Sequence, residues 1–556
     1  MQQTPLLMSR LLDRGARVAP EEEIVTATAS GTRRRTYRES RDRAHQLAHA
    51  LAGAGIGVGD RVATLMSNGD LHVEAYHAIA SMGAVLHPLN HRIAGEDLEY
   101  VIHSAGDRII LVDADLLPLL EKLAGRIPSV ERVVIATEEG FERWRSDLPD
   151  PVDYEAFIQG KPTVYAWPDL DENAPVGLCH TSGTTGRPKG CLYTHRSQYL
   201  NTLAISMTDV FGLSATDSVC GIVPMSHCMG WGIPWAAMML GFKLVLPHRF
   251  MEPHRLAALI ASEEVSFAVG VPTIWEELRA VIEADRSAFD FSQARRFGCG
   301  GAAPPIALTR WYFDELGVEL IQGFGMTESN AVVAVSRRVM KRSQRGSSAD
   351  EQCANTAKSG VPLPGIDAEI VDQNFNPLPH DGKSAGEVLL RGPWIIDGYY
   401  GNPSPDTFHN GWLRTGDIAK IDADEYVIVS DRAKDLIKSG GEWISSIDLE
   451  NAINAVDGVM EACVVAQPHP RWEERPVALV VVKPGATVTA EQVRTQCAKH
   501  FANWQLPDDI LFVGSIPQNS TGKMDKKAVR ERLKSEGYRL PDQRTAVNEP
   551  LRGRQL

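Results

Sequence analysis

Five segments of the chain concentrate side chains that could do chemistry on an anion. HTSGTTGRPKG, residues 180–190, packs glycines, hydroxyls, an arginine and a lysine into one short stretch. Gly183 and Gly186 let the backbone curl so that successive amides point inward, while Thr181, Ser182, Thr184 and Thr185 add hydroxyl donors and Lys189 adds a charge. That is a recipe for holding phosphate. It is not a GxxxxGK[ST] loop, because Lys189 follows Gly186 by three residues and a glycine comes after it. Alone, it reads equally well as a polar surface loop. GFGMTESN, residues 323–330, offers Phe324 as a face for a flat base, Thr327 as a donor to phosphate and Glu328 as a carboxylate for a magnesium ion. GWLRTGDIAKID places Asp417 after a tight turn, where an acceptor-only carboxylate can take both hydroxyls of a ribose. SDRAKDLIKSGGEWISS supplies Arg432, Lys434 as a pivot, and the backbone-exposing pair Gly440 and Gly441; PQNSTGKMDKKAVR sets Lys523 on a glycine turn near the C-terminus. Singly, each has a bland reading, Arg432 and Lys434 as solvated surface and Phe324 as ordinary core.

The elements that must position these residues follow from periodicity. YRESRDRAHQLAHALAGAG carries apolar residues at helical spacing, RVATLM reads as a strand and VEAYHAIASMGA as a helix, and GAVLHPLN, RIILVD and RVVIAT continue the series. Strands separated by helices predict parallel sheets in an α/β architecture, with ligands at the carboxyl ends of strands. VGLC is such a strand before the 180–190 loop, and THRSQYLNTLAISM a helix after it. Beyond about residue 360 the pattern changes to short strands, with IDADEY as a hairpin turn, and from about residue 432 a compact α+β module begins. The polar segment 337–360 reads as a mobile surface excursion. At 556 residues two domains are expected, and a net charge of −14 disfavours nucleic acid and anionic membrane surfaces as partners. Eight cysteines without a CxxC pair suggest neither zinc nor disulfides and fit a reducing cytoplasm; no membrane-crossing segment is expected.

In this order and at these separations the motifs resemble the adenylate-forming superfamily of acyl-CoA ligases, adenylation domains and luciferases, over nearly the whole chain. PMSHCMGWG, VGVPTIW, RGPW, DLIKSGGEWISS and HPRWEERP resemble its medium-chain acyl-CoA and methylmercaptopropionyl-CoA ligases. The resemblance implies an α/β fold: a large N-terminal domain, residues 1–431, of parallel α/β subdomains plus a small distorted β-barrel, and a small mobile α+β lid, residues 432–556, hinged near Lys434. It implies ATP, Mg²⁺ and CoA as cosubstrates and cofactor. The loop residues Thr181, Ser182, Gly183, Thr184, Thr185, Gly186 and Lys189 would clamp the β- and γ-phosphates, Gly301 and Ala302 would flank the adenine, and Phe324 and Gly325 would lie at its face. Thr327 would contact the α-phosphate, and Thr184 and Glu328 the metal. Asp417 and Arg432 would bind the ribose, and Lys523 would bridge carboxylate and α-phosphate. The SGGE segment, with Gly440 and Gly441, would line the thiol's approach.

For the acyl pocket the resemblance implies Ser226, His227, Cys228, Trp231, Gly325 and Asn330, with His227 as a gate or wall more than a base. Ser226, Cys228 and Asn330 make that wall smaller and more polar than an alkyl chain wants, which suggests a substrate bearing a polar group, such as an aryl or heteroaryl acid. The expected partner is a small carboxylic acid, and ligases of this size are often homodimers. Two alternatives stay open: activation of another anion, such as nitrite for diazotising an aryl amine, and a stand-alone adenylation enzyme.

Overall fold

The computed structural model describes residues 2–93, 95–137, 147–181, 187–401, 405–432, 435–440, 442–518, 524–540 and 554–555. Two large sheets carry the first half of the chain. In the seven-stranded sheet, strands Pro151–Asp153, Arg132–Ala136, Ile109–Asp113, Arg61–Leu65, Val85–Pro88 and Pro175–His180 follow one another in parallel, and Gly190–Thr194 closes the edge antiparallel. The nine-stranded sheet has a parallel centre that ends on Arg296–Gly300 and Glu319–Met326, after which Ala331–Ser336 returns antiparallel. The expected α/β alternation is therefore present, with a hairpin added at the end of each parallel run.

Helices cover both sheets where the periodicity predicted them. Tyr37–Gly53 starts at a reciprocal cap, Thr36 Oγ1 accepting from Glu39 N and Glu39 Oε2 from Thr36 N, which satisfies two of the amides a helix start leaves open. His195–Ser206 is capped the same way by Thr194 and Ser197. Asp70–Ser81 is buried all round, as a helix between two layers must be. Around the nine-stranded sheet the core centres on Trp275 stacked on Phe297 at 4.8 Å, with Tyr312 edge-on. Among the described residues no helix is long and apolar enough to cross a membrane.

The chain divides into two compact units, Met1–Asp367 with Arg391–Leu413, and Ala368–Leu390 with Arg414–Leu556. The hairpin at IDADEY forms as read, Trp412–Ile421 against Val427–Arg432. It groups with the C-terminal module rather than with the large unit. That module is a six-stranded sheet with a separate apolar core on each face. The segment 337–360 is more structured than its polarity suggests. Ser348 and Glu351 cap a helix, Ala349–Asn355, and Arg338 lies 3.5 Å over the Phe313 ring while Cys353, Asn355 and Thr356 are buried. Caps and one cation–π contact replace the apolar periodicity that the reading looked for.

Candidate active site

Both hairpins at the sheet ends carry a motif in their turn. The strand Pro175–His180 pairs with Gly190–Thr194 through His180↔Gly190 and Cys179↔Cys191, so the glycine-rich stretch is the connection between them. Its stem is closed by Thr181 N donating to Lys189 O at 2.9 Å and Lys189 N donating to Thr181 Oγ1 at 3.1 Å. Below it His180 Nδ1 meets His87 Nε2 at 3.0 Å, and His87 Nδ1 faces the buried Asp107 carboxylate at 2.8 Å. Burial and the neighbouring imidazole hold His180 well below the usual histidine range, so it supports the stem as a neutral ring. Gly190 packs closely there: a Cβ would lie 3.0 Å from Leu178 Cδ1 and 3.2 Å from Tyr400 Cβ, so those side chains would have to give way slightly. Lys189 Nζ sits 4.6 Å over the Tyr399 ring. Ser182, Gly183, Thr184, Thr185 and Gly186 lie outside the described residues.

The second hairpin turns through Thr327–Ser329 and Asn330, the latter left-handed at φ 48°. Ser329 Oγ accepts from Met326 N and fixes the turn. Gly325 admits no side chain, since a Cβ would fall 1.5 Å from Ala331 O. Thr327 and Glu328 are each 8% exposed. Tyr399 Oη donates to Glu328 Oε1 at 2.6 Å, and burial with that carboxylate pushes the phenol's pKa up, so it stays a donor. Tyr193, on the first hairpin, donates its phenol to Thr327 O at 2.6 Å and ties the two hairpins together. Phe324 is half-buried, and the register Gly300↔Gly323 sets it beside the exposed loop of Gly301 and Ala302, at the carboxyl ends of adjacent parallel strands. A single carboxylate shared with a phenol suits Mg²⁺, which keeps waters and phosphate oxygens as its other ligands. Among the described residues no group of three or more His, Cys, Asp or Glu forms a cage for a metal.

The segment Cys228–Gly232, expected to line the acyl pocket, folds unlike either hairpin. Cys228, Met229, Gly230, Trp231 and Gly232 all have positive φ, from 37° to 74°, a left-handed turn that costs each non-glycine residue about 1 kcal/mol. Two glycines elsewhere make room for it. A Cβ on Gly177 would meet Met229 Sδ at 2.6 Å, and one on Gly300 would meet Trp231 Cη2 at 2.4 Å. Cys228 Sγ reaches Thr327 Oγ1 at 3.6 Å and His227 Nε2 at 3.8 Å, which joins this wall to the second hairpin. Ser226 is 8% exposed and Trp231 7%. Sequence reasoning missed Tyr193, Tyr399, Gly177 and Gly300; only the aromatic pair in GYY after RGPW hinted at Tyr399.

In the second unit, Asp417 and Arg432 are opposite each other on the hairpin, and Arg432 Nε binds Asp417 Oδ1 at 3.1 Å. The tight turn expected before Asp417 is not formed: Thr415, Gly416 and Asp417 lie inside the continuous strand Trp412–Ile421, whose pairing with Phe408–His409 and Val427–Arg432 carries the chain through Gly416 (φ 70°), while Asp417 N donates to Thr415 Oγ1 at 3.0 Å. Gly440 donates to Trp472 O, with no room for a side chain against the Trp472 ring. Lys434, Gly441 and Lys523 lie outside the described residues; Gln518 and Met524 pair with each other.

The chain matches the family model for AMP-binding enzymes over residues 12–400, and the model for their C-terminal domain over 448–523. It is 41% identical to a long-chain-fatty-acid–CoA ligase of Thermus thermophilus, over 94% of this chain and 95% of that one. It is 37% identical to a 3-methylmercaptopropionyl-CoA ligase of Ruegeria pomeroyi, over 96% and 98%. The crystal structure of an anthranilate CoA ligase in complex with anthranoyl-AMP aligns at a TM-score of 0.85, with 26% identity over 97% of this chain and all of that one. The chain that carries these two tied hairpins therefore belongs to the AMP-binding enzyme family.

Proposed function

We propose that the chain activates a small carboxylic acid with ATP and passes the acyl group to CoA. In the first half-reaction a carboxylate oxygen attacks the α-phosphorus, the bond to the bridging oxygen breaks, and pyrophosphate leaves. In the second, the CoA sulfur attacks the acyl carbon and AMP leaves. The observation that carries this reading is the Tyr193–Thr327 and Tyr399–Glu328 pair of contacts. Together they hold a hydroxyl and a carboxylate rigidly beside the stem of the anion loop. Bound at Glu328 and Thr184, magnesium would neutralise phosphate charge as it develops. Thr327 offers its hydroxyl to the α-phosphate, Lys189 and the loop amides hold the departing phosphates, and Phe324 lies where a base can stack. Asp417, kept in place by Arg432, accepts from the ribose hydroxyls.

Lys523 supplies the positive charge between carboxylate and α-phosphate, and the module from residue 432 onward turns about Lys434 between half-reactions, bringing Gly440 and Gly441 to the thiol. The polar wall of Ser226, Cys228 and Asn330 favours an acid with a polar group. Eight free, buried cysteines support a reducing, cytoplasmic setting. The test separates the half-reactions. Lys523→Ala is expected to abolish pyrophosphate release from ATP and acid yet leave thioester formation from preformed acyl-adenylate within about tenfold of wild type. Equal loss of both half-reactions contradicts the two-conformation account.

A further inference from the structure

Buried carboxamides in the first unit are of two kinds. Asn68 uses its amide fully: Nδ2 donates to Gly221 O at 2.8 Å and Val223 O at 2.7 Å, and Oδ1 accepts from Met225 N at 2.8 Å. Gln198 and Asn330 are buried as deeply, 0% and 1% exposed, yet none of their four amide atoms has a partner among the described residues. Native folds pair such groups almost without exception, and among the described residues these are the two buried carboxamides whose amide atoms are all unpaired.

Both border the same turn. Gln198 lies one helical turn before Asn201 and Thr202 on the buried face of His195–Ser206. Asn201 Oδ1 is 3.7 Å from where Gly232 would carry a Cβ, and its Nδ2 reaches Val332 O at 3.5 Å. Asn330 stands two residues before Val332, and the Cys228–Gly232 turn packs on both the helix and the strand Ala331–Ser336. The acyl-wall residues Ser226, Cys228 and Trp231 carry no charge, so a charged group on the ligand would go unpaired against them.

We propose that Gln198 and Asn330 determine specificity for the acid by hydrogen-bonding an uncharged group on its acyl portion that both donates and accepts: a hydroxyl, phenol or carboxamide. This rests on the assignment of residues 226–231 and Asn330 to the acyl pocket. A plain alkyl chain leaves four amide atoms unmatched, whereas a hydroxyl can donate to one amide oxygen and accept from the amide nitrogens, and sites of this kind reject the analogue that lacks it.

The experiment uses the full chain with ATP and CoA and two matched pairs of acids: hexanoate with 6-hydroxyhexanoate, and 3-phenylpropionate with 3-(4-hydroxyphenyl)propionate. In at least one pair, kcat/KM from pyrophosphate release is expected to favour the hydroxylated acid by about tenfold or more. Gln198→Met, nearly isosteric on its helix, and Asn330→Gly, which suits the left-handed backbone, are each expected to shrink that ratio toward one. A second readout needs no turnover. The ligand-free Gln198→Met protein is expected to melt higher than wild type, because an unpaired amide has gone; a purely structural glutamine would make it melt lower. A wild type that prefers the alkyl member of both pairs, variants that keep the wild-type ratio, or a lower melting temperature for Gln198→Met would each overturn the inference. No pyrophosphate release with any acid strikes instead at the acid-activating reading, and the melting comparison still decides the role of the amides.

Discussion

Two regions of the first unit, the tied hairpins that we propose as the nucleotide side and the surroundings of the Cys228–Gly232 turn that we propose as the acyl side, are built on opposite principles. On the nucleotide side the polar groups described are matched: Thr327 O by Tyr193, Glu328 by Tyr399, Met326 N by Ser329, and the loop stem by Thr181 and Lys189. On the acyl side the backbone is left-handed over five residues and two fully buried amides are unmatched. The difference teaches where the chain has committed its geometry in advance. ATP is the same for every member of such a family, and a rigid, satisfied site pre-organises its chemistry. The acid differs, and the polar cost is left open until the acid arrives.

Breaking the committed side should do the most damage. Gly325→Ala places a Cβ against the backbone oxygen of Ala331 at 1.5 Å, with no side chain to move aside; we expect destabilisation of about 4 kcal/mol and loss of pyrophosphate release, read by thermal melting and activity. Gly300→Ala makes the instructive contrast. Its main obstacle is the Trp231 ring at 2.4 Å, which can shift, with the Gly323 backbone oxygen at 3.1 Å, so stability should fall by only about 1–3 kcal/mol while the preference among acids changes more than KM for ATP. A Gly300→Ala protein altered chiefly in ATP affinity would erase the distinction between the two sides.

Glu328→Gln keeps the shape but removes the charge, and kcat for pyrophosphate release should fall about 100-fold with little change in melting temperature. Tyr399→Phe removes one hydrogen bond to that carboxylate; a loss of about 1.5 kcal/mol predicts a roughly tenfold drop in kcat/KM for ATP. The smallest effect is on pH stability. Burial lowers the folded-state pKa of His72 and His77 from 6.5 to about 4, so the fold favours their neutral forms. Their contribution is fully present above pH 6.5 and is lost as pH falls toward 4, so melting curves should shift down progressively across that window. Replacing either histidine by an uncharged residue of similar size should flatten that slope.

Much of this was legible in the sequence because it is local. Helix Tyr37–Gly53 announced itself by its period, the 175–180 strand by its apolar run before a glycine-rich stretch, and the IDADEY hairpin by its acidic turn residues between two apolar runs. Three things were not. The strand Gly190–Thr194 is merged in sequence with the helix after it, because the capping residue Thr194 belongs to both. The left-handed turn at Cys228–Gly232 contains only two glycines, and what stabilises it is the empty Cβ positions of Gly177 and Gly300, far away in the chain. The state of a buried amide is set by tertiary neighbours alone: Asn68 and Asn330 are the same residue type, one fully bonded and one unpaired. The pairing state of Asn330 could therefore not be read from the sequence.

The central claim is that this chain couples ATP-dependent acid activation to thioester formation. It is tested most directly by measuring pyrophosphate, AMP and acyl-CoA from purified protein across a panel of carboxylic acids, with and without CoA and with nitrite in place of the acid. The account predicts that one class of acid yields pyrophosphate, AMP and acyl-CoA in equal amounts, with turnover requiring CoA. Nitrite-dependent pyrophosphate release without turnover of any acid, or AMP formation that CoA does not accelerate, would contradict it.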